Sequence, residues 1–215
     1  FLTNTTFGVS ADEVGKFSLK VPEGNYDVIV RMLGFESLTF SLNTSILQPQ
    51  GYTMMLLPMK DQLDEIEVEE ERDPIWYRNL ATFNTYVLAS SENAKSTTIL
   101  NEKVLRLDDQ SERSVLKVKA VDVLKIENPK LGYRLDYLLT DFRFEVRADY
   151  IFYGGNPLFI PDTRLSQSKL KKVETNRELA YRGSLQHFIQ ALYQGKVRED
   201  GFEIRRLDRL PKDGG

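Results

Sequence analysis

The chain has few of the residues from which metal and nucleophile sites are built. Its 215 residues include no cysteine and one histidine, His187. The absence of cysteine excludes disulfides, thiolate metal sites and cysteine nucleophiles. A zinc site normally takes several nitrogen or sulfur ligands, so one histidine does not suffice. Calcium needs only oxygens, which Asp12-Glu13 or Asp108-Asp109 offer without EF-hand spacing. We therefore expect no metal and no cofactor, and ordinary turn acids at both acidic pairs.

Long hydrophobic runs are also missing. No stretch of the sequence approaches the roughly 18 apolar residues of a spanning helix, so we expect no membrane-spanning segment. The apolar fraction of 41% is ample for a buried core. Residues 61–73 hold eight acids and one arginine, so the rest of the chain carries about +4 against a net charge of −3. That positive charge is too dispersed for a nucleic-acid interface.

The acidic run at 61–73 separates two blocks that differ in their pattern of apolar and polar residues. A glutamate-rich stretch is solvated and self-repelling, which is typical of a linker. It predicts an N-terminal domain over 1–60 and a second domain over 74–215. The alternative is that the run contacts a cation or a basic partner.

The first block alternates apolar and polar residues with the period of a half-buried strand. The pattern predicts strands over 16–20 and 26–31, joined as a hairpin by the turn residues 22–25. Further strands over 37–42 and 52–57 complete a Greek-key set.

Three pieces of this block carry a family resemblance: Asp12-Glu13-Val14-Gly15-Lys16-Phe17-Ser18-Leu19, Pro22-Glu23-Gly24-Asn25-Tyr26-Asp27-Val28 and Leu33-Gly34-Phe35. They resemble the carboxypeptidase regulatory-like domain, a transthyretin-like β-sandwich common in cell-envelope proteins of Bacteroidota-type bacteria. The resemblance implies a fold and a location in the periplasm, outer membrane or cell surface, but no chemistry. In this family an opening strand precedes the position of Phe1. We therefore expect the chain to begin inside its domain, with a signal peptide upstream and a sheet edge open to homodimer contact.

The second block begins with an amphipathic helix. Asp73 followed by Pro74 is typical of an N-cap with proline at the first helical position. The apolar stripe has spacings of four, three and four. Its members are Trp76, Leu80, Phe83 and Val87.

The rest of this block predicts an antiparallel sheet followed by helix. Strands are expected over 103–107, 114–118, 123–127, 134–147 and 144–153. A final helical stripe ends at Gly195, and Gly183-Ser184 splits it into two shorter helices. The stripe consists of Tyr181, Leu185, Phe188, Ile189 and Leu192. The fold class is therefore mainly β with α+β: an N-terminal Greek-key sandwich, then an antiparallel sheet with flanking helices.

Several pieces of the second block carry a further resemblance: Trp76-Tyr77-Arg78-Asn79-Leu80, Ile99-Leu100-Asn101, Ile126-Glu127-Asn128, Leu131-Gly132-Tyr133 and Ala180-Tyr181-Arg182-Gly183-Ser184. They resemble an uncharacterised region that lies after the regulatory-like domain in many Bacteroidota proteins. This second resemblance implies no activity.

Two sets of side chains are candidate sites. Ser184 and His187 could form a Ser/His hydrolase centre with Asp141, Asp149 or Asp162, although no Gly-x-Ser-x-Gly elbow is present. The alternative is a capping serine beside a hydrogen-bonded histidine. The aromatics Tyr150, Phe152, Tyr153 and Phe159, with Asn156, surround a predicted turn at 154–157. They could stack a sugar, or they could be sheet-core aromatics flanking a hairpin.

These patterns favour a non-enzymatic cell-envelope protein whose sandwich is a docking, folding or ligand-presenting module. Its partner would be an envelope protein or a glycan. The alternative is a glycan-binding module of an outer-membrane polysaccharide or TonB-dependent uptake system, with Tyr150, Tyr153, Asn156 and Phe159 as ligand residues. Residues 63–68 resemble the segment that joins such domains to transporter plugs, but the second block resembles no plug. A Ser/His hydrolase is the weaker alternative.

Overall fold

The computed structural model describes residues 1–48, 51–58, 73–88 and 91–207. Within these ranges the fold is mainly β, with two antiparallel sheets and three α-helices, which confirms the predicted class. The elements in chain order are β1 (Asn25–Val30), β2 (Leu38–Asn43), α1 (Pro74–Val87), β3 (Thr98–Ile99), β4 (Leu105–Asp108), β5 (Val115–Ala120), β6 (Leu124–Asn128), β7 (Tyr133–Glu145), β8 (Tyr150–Pro161), α2 (Gln167–Tyr181) and α3 (Leu185–Gln194).

The N-terminal sheet is a two-stranded antiparallel pair of β1 and β2, with Tyr26 opposite Leu42. The strands predicted over 26–31 and 37–42 are thus confirmed, but the partner predicted for the first of them is wrong. Residues 16–20 form no strand. Instead, the Asp12 carboxylate accepts the backbone N–H groups of Val14 and Lys16, which closes a local turn.

The strand predicted over 52–57 is also absent. In that stretch Leu57 accepts a backbone hydrogen bond from Glu36, and a single bridge joins Phe35 to Pro58. An alternating pattern shows that a segment suits a strand, but it does not supply the pairing partner that a strand needs.

An opening segment, residues 1–5, links the two sheets. The Phe1 carbonyl accepts a hydrogen bond of 2.8 Å from the N–H of Ile29 in β1. A few residues later, the Asn4 N–H donates to the Pro157 carbonyl of β8, also at 2.8 Å. The backbone of this segment therefore bonds to both sheets.

The second sheet has six strands built around β7. Strands β6 and β5 pair with the first and last parts of β7, and β8 pairs with β7 along its length. The register between β7 and β8 shifts between Leu139 and Asp141, which marks a β-bulge. Strand β3 extends the sheet from β6, and β4 extends it from β5.

Helix α1 packs on one face of this sheet, as its apolar stripe predicts. The Asp73 carboxylate accepts the N–H of Trp76 at 2.6 Å, and Pro74 is the first helical residue, so both predicted start signals are confirmed. Phe83 is fully buried, with its ring centroid 4.9 Å from that of Phe142 in β7. The core therefore lies between α1 and the sheet.

The chain divides into two compact units, Phe1–Leu165 and Ser166–Gly215. The second unit contains α2 and α3, separated at Gly183-Ser184 as predicted. Gly195, with φ of +71°, comes directly after α3 and ends it. The linker predicted at 61–73 lies outside the described residues except for Asp73, so the domain boundaries stay a prediction. Among the described residues no helix has the length and apolarity needed to cross a bilayer.

Candidate functional site

A groove of ≈ 750 Å³ lies between the N-terminal part of the chain and β8. One wall comes from residues 1–33, including β1, and the other comes from the last part of β8. Most lining side chains are apolar. The central ones are Leu2, Phe17, Leu19, Val28, Leu158 and Ile160.

The strands and a glycine together set the shape of this groove. A Cβ on Gly8 would lie 3.0 Å from a Leu158 methyl group, so the small residue lets the N-terminal backbone approach β8 closely. Below the groove Ile29 is 1% exposed and Leu2 is 4% exposed. The floor is therefore part of a packed core, while the rim is open.

The charged groups at the groove are paired within the protein. Arg31 lies 3.4 Å from Asp122, and Asp136 lies 3.2 Å from Lys125. The remaining lining is uncharged and mainly apolar, with Thr6 and Ser10 as its polar side chains. Its apolar side chains are accessible, since Phe17 is 47% exposed and Leu33 and Val9 are also exposed. Such a lining suits an uncharged apolar ligand. No sequence pattern predicted this groove, because its walls are brought together by contacts distant along the chain.

The aromatic residues predicted as a ligand site lie along β8. The turn expected at 154–157 is wrong, because β8 continues unbroken from Tyr150 to Pro161. Alternate residues of a strand point to opposite faces. Tyr150 and Asn156 therefore lie on one face, and Tyr153 and Phe159 lie on the other.

The two faces have different surroundings. On the face that carries the core, the Tyr153 ring centroid is 6.5 Å from that of Phe142, although Tyr153 is still 45% exposed, and Phe159 makes an edge contact of 5.6 Å with Tyr133. On the outer face, Tyr150 is 51% exposed and Phe152 is 49% exposed. Tyr150 and Phe152 thus share one exposed face, and the predicted ligand residues Tyr150, Tyr153, Asn156 and Phe159 do not all lie on the same face.

An ionic cluster borders this exposed aromatic pair. Arg143 is opposite Phe152 in the β7–β8 register. It donates to Glu145 at 2.8 Å and to Glu112 at 2.9 Å, and Lys117 lies 2.9 Å from Glu112. Hydrogen bonds from Arg143 and then Lys117 lower the pKa of Glu112 from 4.5 to about 2. The cluster gives the outer face fixed polar groups beside two aromatic rings.

The Ser184 and His187 pair is arranged as a helix cap. The Ser184 hydroxyl accepts the backbone N–H of His187 at 3.1 Å, which caps α3. The Nδ1 atom of His187 accepts the N–H of Gly183 at 3.1 Å, while Nε2 faces Asp200 at 3.7 Å. Neither ring nitrogen of His187 is therefore hydrogen-bonded to the Ser184 hydroxyl.

Asp200 is the carboxylate beside the histidine, and sequence reasoning missed it. It lies in the turn after α3, where Asp200 N–H donates to Lys196. The three aspartates suggested for a triad, Asp141, Asp149 and Asp162, belong to the other compact unit. The imidazole also contacts two aromatic rings, with centroids 4.8 and 4.9 Å away, those of Tyr181 and Phe202.

The acidic pairs considered for calcium take part in turns. Asp12 and Asp108 each accept two backbone N–H groups from residues later in the same turn. Hydrogen bonds involving Ser111 are the main cause that lowers the pKa of Asp108. No cluster of three or more histidine and acidic side chains suited to a metal ion occurs in the ranges that the structure describes.

Comparison with known proteins identifies one region of the chain. No curated protein and no solved structure matches the chain. A family model, that of the CarboxypepD_reg-like domain, matches residues 1–68. This range includes β1, β2, the opening segment and one wall of the groove. The N-terminal part of the chain, residues 1–68, is therefore similar to the CarboxypepD_reg-like domain.

Proposed function

We propose that this protein is a non-enzymatic docking module of the cell envelope, in the periplasm, outer membrane or at the cell surface. Its groove takes an uncharged, apolar segment of an envelope protein. The observation that carries the proposal is the ≈ 750 Å³ groove with apolar walls and internally paired charges. The regulatory-like domain supports it, since it supplies one wall and its family is non-catalytic.

Exposure at the groove rim supports docking in energetic terms. Phe17, Val9 and Leu33 are 47%, 46% and 75% exposed, so a partner that covers them removes apolar surface from water. A buried apolar centre with a polar rim is the usual anatomy of a protein interface. Here the partly exposed Arg31–Asp122 and Lys125–Asp136 pairs supply charged groups at the rim of the groove.

A peptide library displayed on phage tests this proposal with the intact protein as bait. We expect the selected peptides to be rich in apolar residues and to lose binding to Phe17→Asp. The matched control is Leu185→Asp, because Leu185 is 73% exposed on α3 and does not line the groove. Selected peptides that bind Phe17→Asp as tightly as the unsubstituted protein would contradict the proposal.

Glycan binding is a second candidate function, favoured by the exposed pair of Tyr150 and Phe152 on the outer face of β8. The Cα atoms of alternate residues in a strand are about 6.6 Å apart and their side chains point to the same face, so both rings are presented on one surface. The carboxylates of Glu112 and Glu145 beside them could accept sugar hydroxyl groups. Such a site would suit a module of a polysaccharide uptake system.

A glycan array followed by isothermal titration tests the second candidate. We expect Tyr150→Ala to abolish saturable binding and Tyr193→Ala to retain it, because Tyr193 is 93% exposed on α3 and far along the chain from β8. Equal loss in both variants, or no saturable binding by the unsubstituted protein, would exclude this function.

A further inference from the structure

The backbone of β8 has two hydrogen-bonding edges, and one of them is only partly used. The Pro157 carbonyl accepts from Asn4, and the Phe159 N–H donates to Thr5 at 2.8 Å, both on the edge away from β7. Backbone groups of successive strand residues point to opposite edges. The backbone N–H and C=O groups of the odd-numbered residues of β8 therefore point away from β7, and those of the even-numbered residues point towards β7.

The first half of this outer edge has no partner within the part of the chain that the structure describes. The residues concerned are Ile151, Tyr153 and Gly155, each with one N–H and one C=O. The second half is protected, since Pro157 and Pro161 have no N–H to leave unpaired. In this half, the opening segment bonds to the Pro157 carbonyl and the Phe159 N–H.

The open half-edge also has none of the usual protection against pairing. Residues 150–156, Tyr-Ile-Phe-Tyr-Gly-Gly-Asn, include no charged side chain and no proline. By contrast β4, which is also an edge strand, carries Arg106 and Asp108. Edges without charged side chains or proline are the ones that pair with another strand.

We propose that this half-edge pairs with the same half-edge of a second copy of the chain, antiparallel and centred on Tyr153. The two-fold axis places Ile151 opposite Gly155 and Tyr153 opposite itself. All these residues point their N–H and C=O groups outward, so the pairing forms about six backbone hydrogen bonds. The edge is therefore complementary to itself in donors and acceptors.

The side chains are compatible with the same pairing. On the outer face, Phe152 of each copy lies opposite Gly154 of the other, so a large ring meets a position without a side chain. The end pair is Tyr150 with Asn156, which places no like charges together. A second copy thus suits this edge in shape and in charge, and two-fold pairing closes after two chains.

Sedimentation velocity of the full chain, over about 1 µM to about 1 mM, tests this dimer. We expect a concentration-dependent dimer that Phe152→Glu weakens at least tenfold, because the substitution removes the ring that packs over Gly154 of the other copy and puts a residue of low strand propensity in its place. In the monomer this glutamate faces Arg143, so the fold should persist. The control Tyr193→Glu makes the same kind of change on exposed α3 and should dimerise normally.

Hydrogen exchange by NMR locates the contact on the backbone. As the dimer forms, the amides of Ile151, Tyr153 and Gly155 should become protected, while the amides of Phe152 and Gly154 keep the protection that β7 already gives them. A chain that remains monomeric throughout the range would overturn the proposal. So would a dimer that Phe152→Glu leaves unchanged, or one that leaves the three odd-numbered amides unprotected. Phe17→Asp, which tests groove docking, should not affect this dimer.

Discussion

At the scale of single residues, Gly155 lies where no side chain fits. A Cβ at this position would be 2.4 Å from the Tyr137 ring and 2.7 Å from the Leu138 carbonyl oxygen. The sequence Gly-Gly-Asn-Pro predicted a turn, because glycine and proline are common in turns. In the structure the glycine instead allows a ring to pack directly on a strand. Residue type alone does not distinguish these two uses.

We predict that Gly155→Ala lowers the free energy of unfolding by about 1–3 kcal/mol, since the new methyl group must displace Tyr137 or the backbone. Gly154→Ala is the matched control, because its Cβ would meet only the Thr140 hydroxyl, at 3.2 Å. Urea unfolding of both variants gives the comparison. Equal losses of stability would show that close approach to Tyr137 is not the reason for glycine at 155.

The lowered pKa of Glu112 predicts a pH dependence of stability. A carboxyl group whose pKa falls from 4.5 to about 2 on folding stabilises the folded state above pH 4.5. That contribution is lost as the pH falls from 4.5 towards 2. The effect should be modest, because the Glu112 side chain is 41% exposed and solvent screens its ion pairs.

Urea unfolding between pH 2 and pH 6 measures this dependence. We expect Glu112→Gln to lose part of the decrease in stability at low pH, because the glutamine does not titrate. NMR titration of the Glu112 carboxyl carbon measures its pKa directly. A midpoint near 4.5 would contradict the role assigned to Arg143 and Lys117.

At the scale of elements, α1 shows what sequence can predict. Its start depends on Asp73 and Pro74, and its buried face on a repeat within the helix itself, so every signal is local. The β1–β2 pair was predicted less well, because strand pairing depends on a partner elsewhere in the chain. The strand over 26–31 was predicted, yet its partner proved to be β2 rather than residues 16–20.

We predict that Phe83→Ala lowers the free energy of unfolding by about 3–5 kcal/mol, because it leaves a cavity between α1 and Phe142. Tyr77→Ala on the same helix removes a ring that is 57% exposed, and should cost far less. Thermal or urea unfolding distinguishes them. Comparable losses would mean that α1 does not form its core contact through Phe83.

At the scale of the whole molecule, the groove was not predictable from the sequence. Residue patterns predicted most strands of the six-stranded sheet, but Gly8 and Leu158 are 150 positions apart and no periodicity relates them. The same holds for the opening segment, whose hydrogen bonds reach β1 and β8. A single sequence contains the local signals for elements, whereas these contacts depend on how the elements assemble.

We predict that Leu2→Ala loosens the link between the two sheets. Leu2 is 4% exposed, so its truncation should lower the free energy of unfolding by about 2–5 kcal/mol. Hydrogen exchange should show faster exchange at Ile29 and Phe159, whose N–H groups donate to the opening segment. Val14→Ala, at a position 75% exposed, is the control. Unchanged exchange at Phe159 in Leu2→Ala would show that the link to β8 does not depend on this packing.

The hydrogen bonds of the opening segment limit how modular this protein is. The match to the family model covers 1–68, yet Asn4 and Thr5 within this range bond to Pro157 and Phe159 far outside it. A recombinant fragment cut at the domain boundary would lose those acceptors and donors, together with the β8 wall of the groove. Domain exchange between proteins of this kind would therefore need to transfer β8 along with residues 1–68, so that the exchanged part keeps its surface.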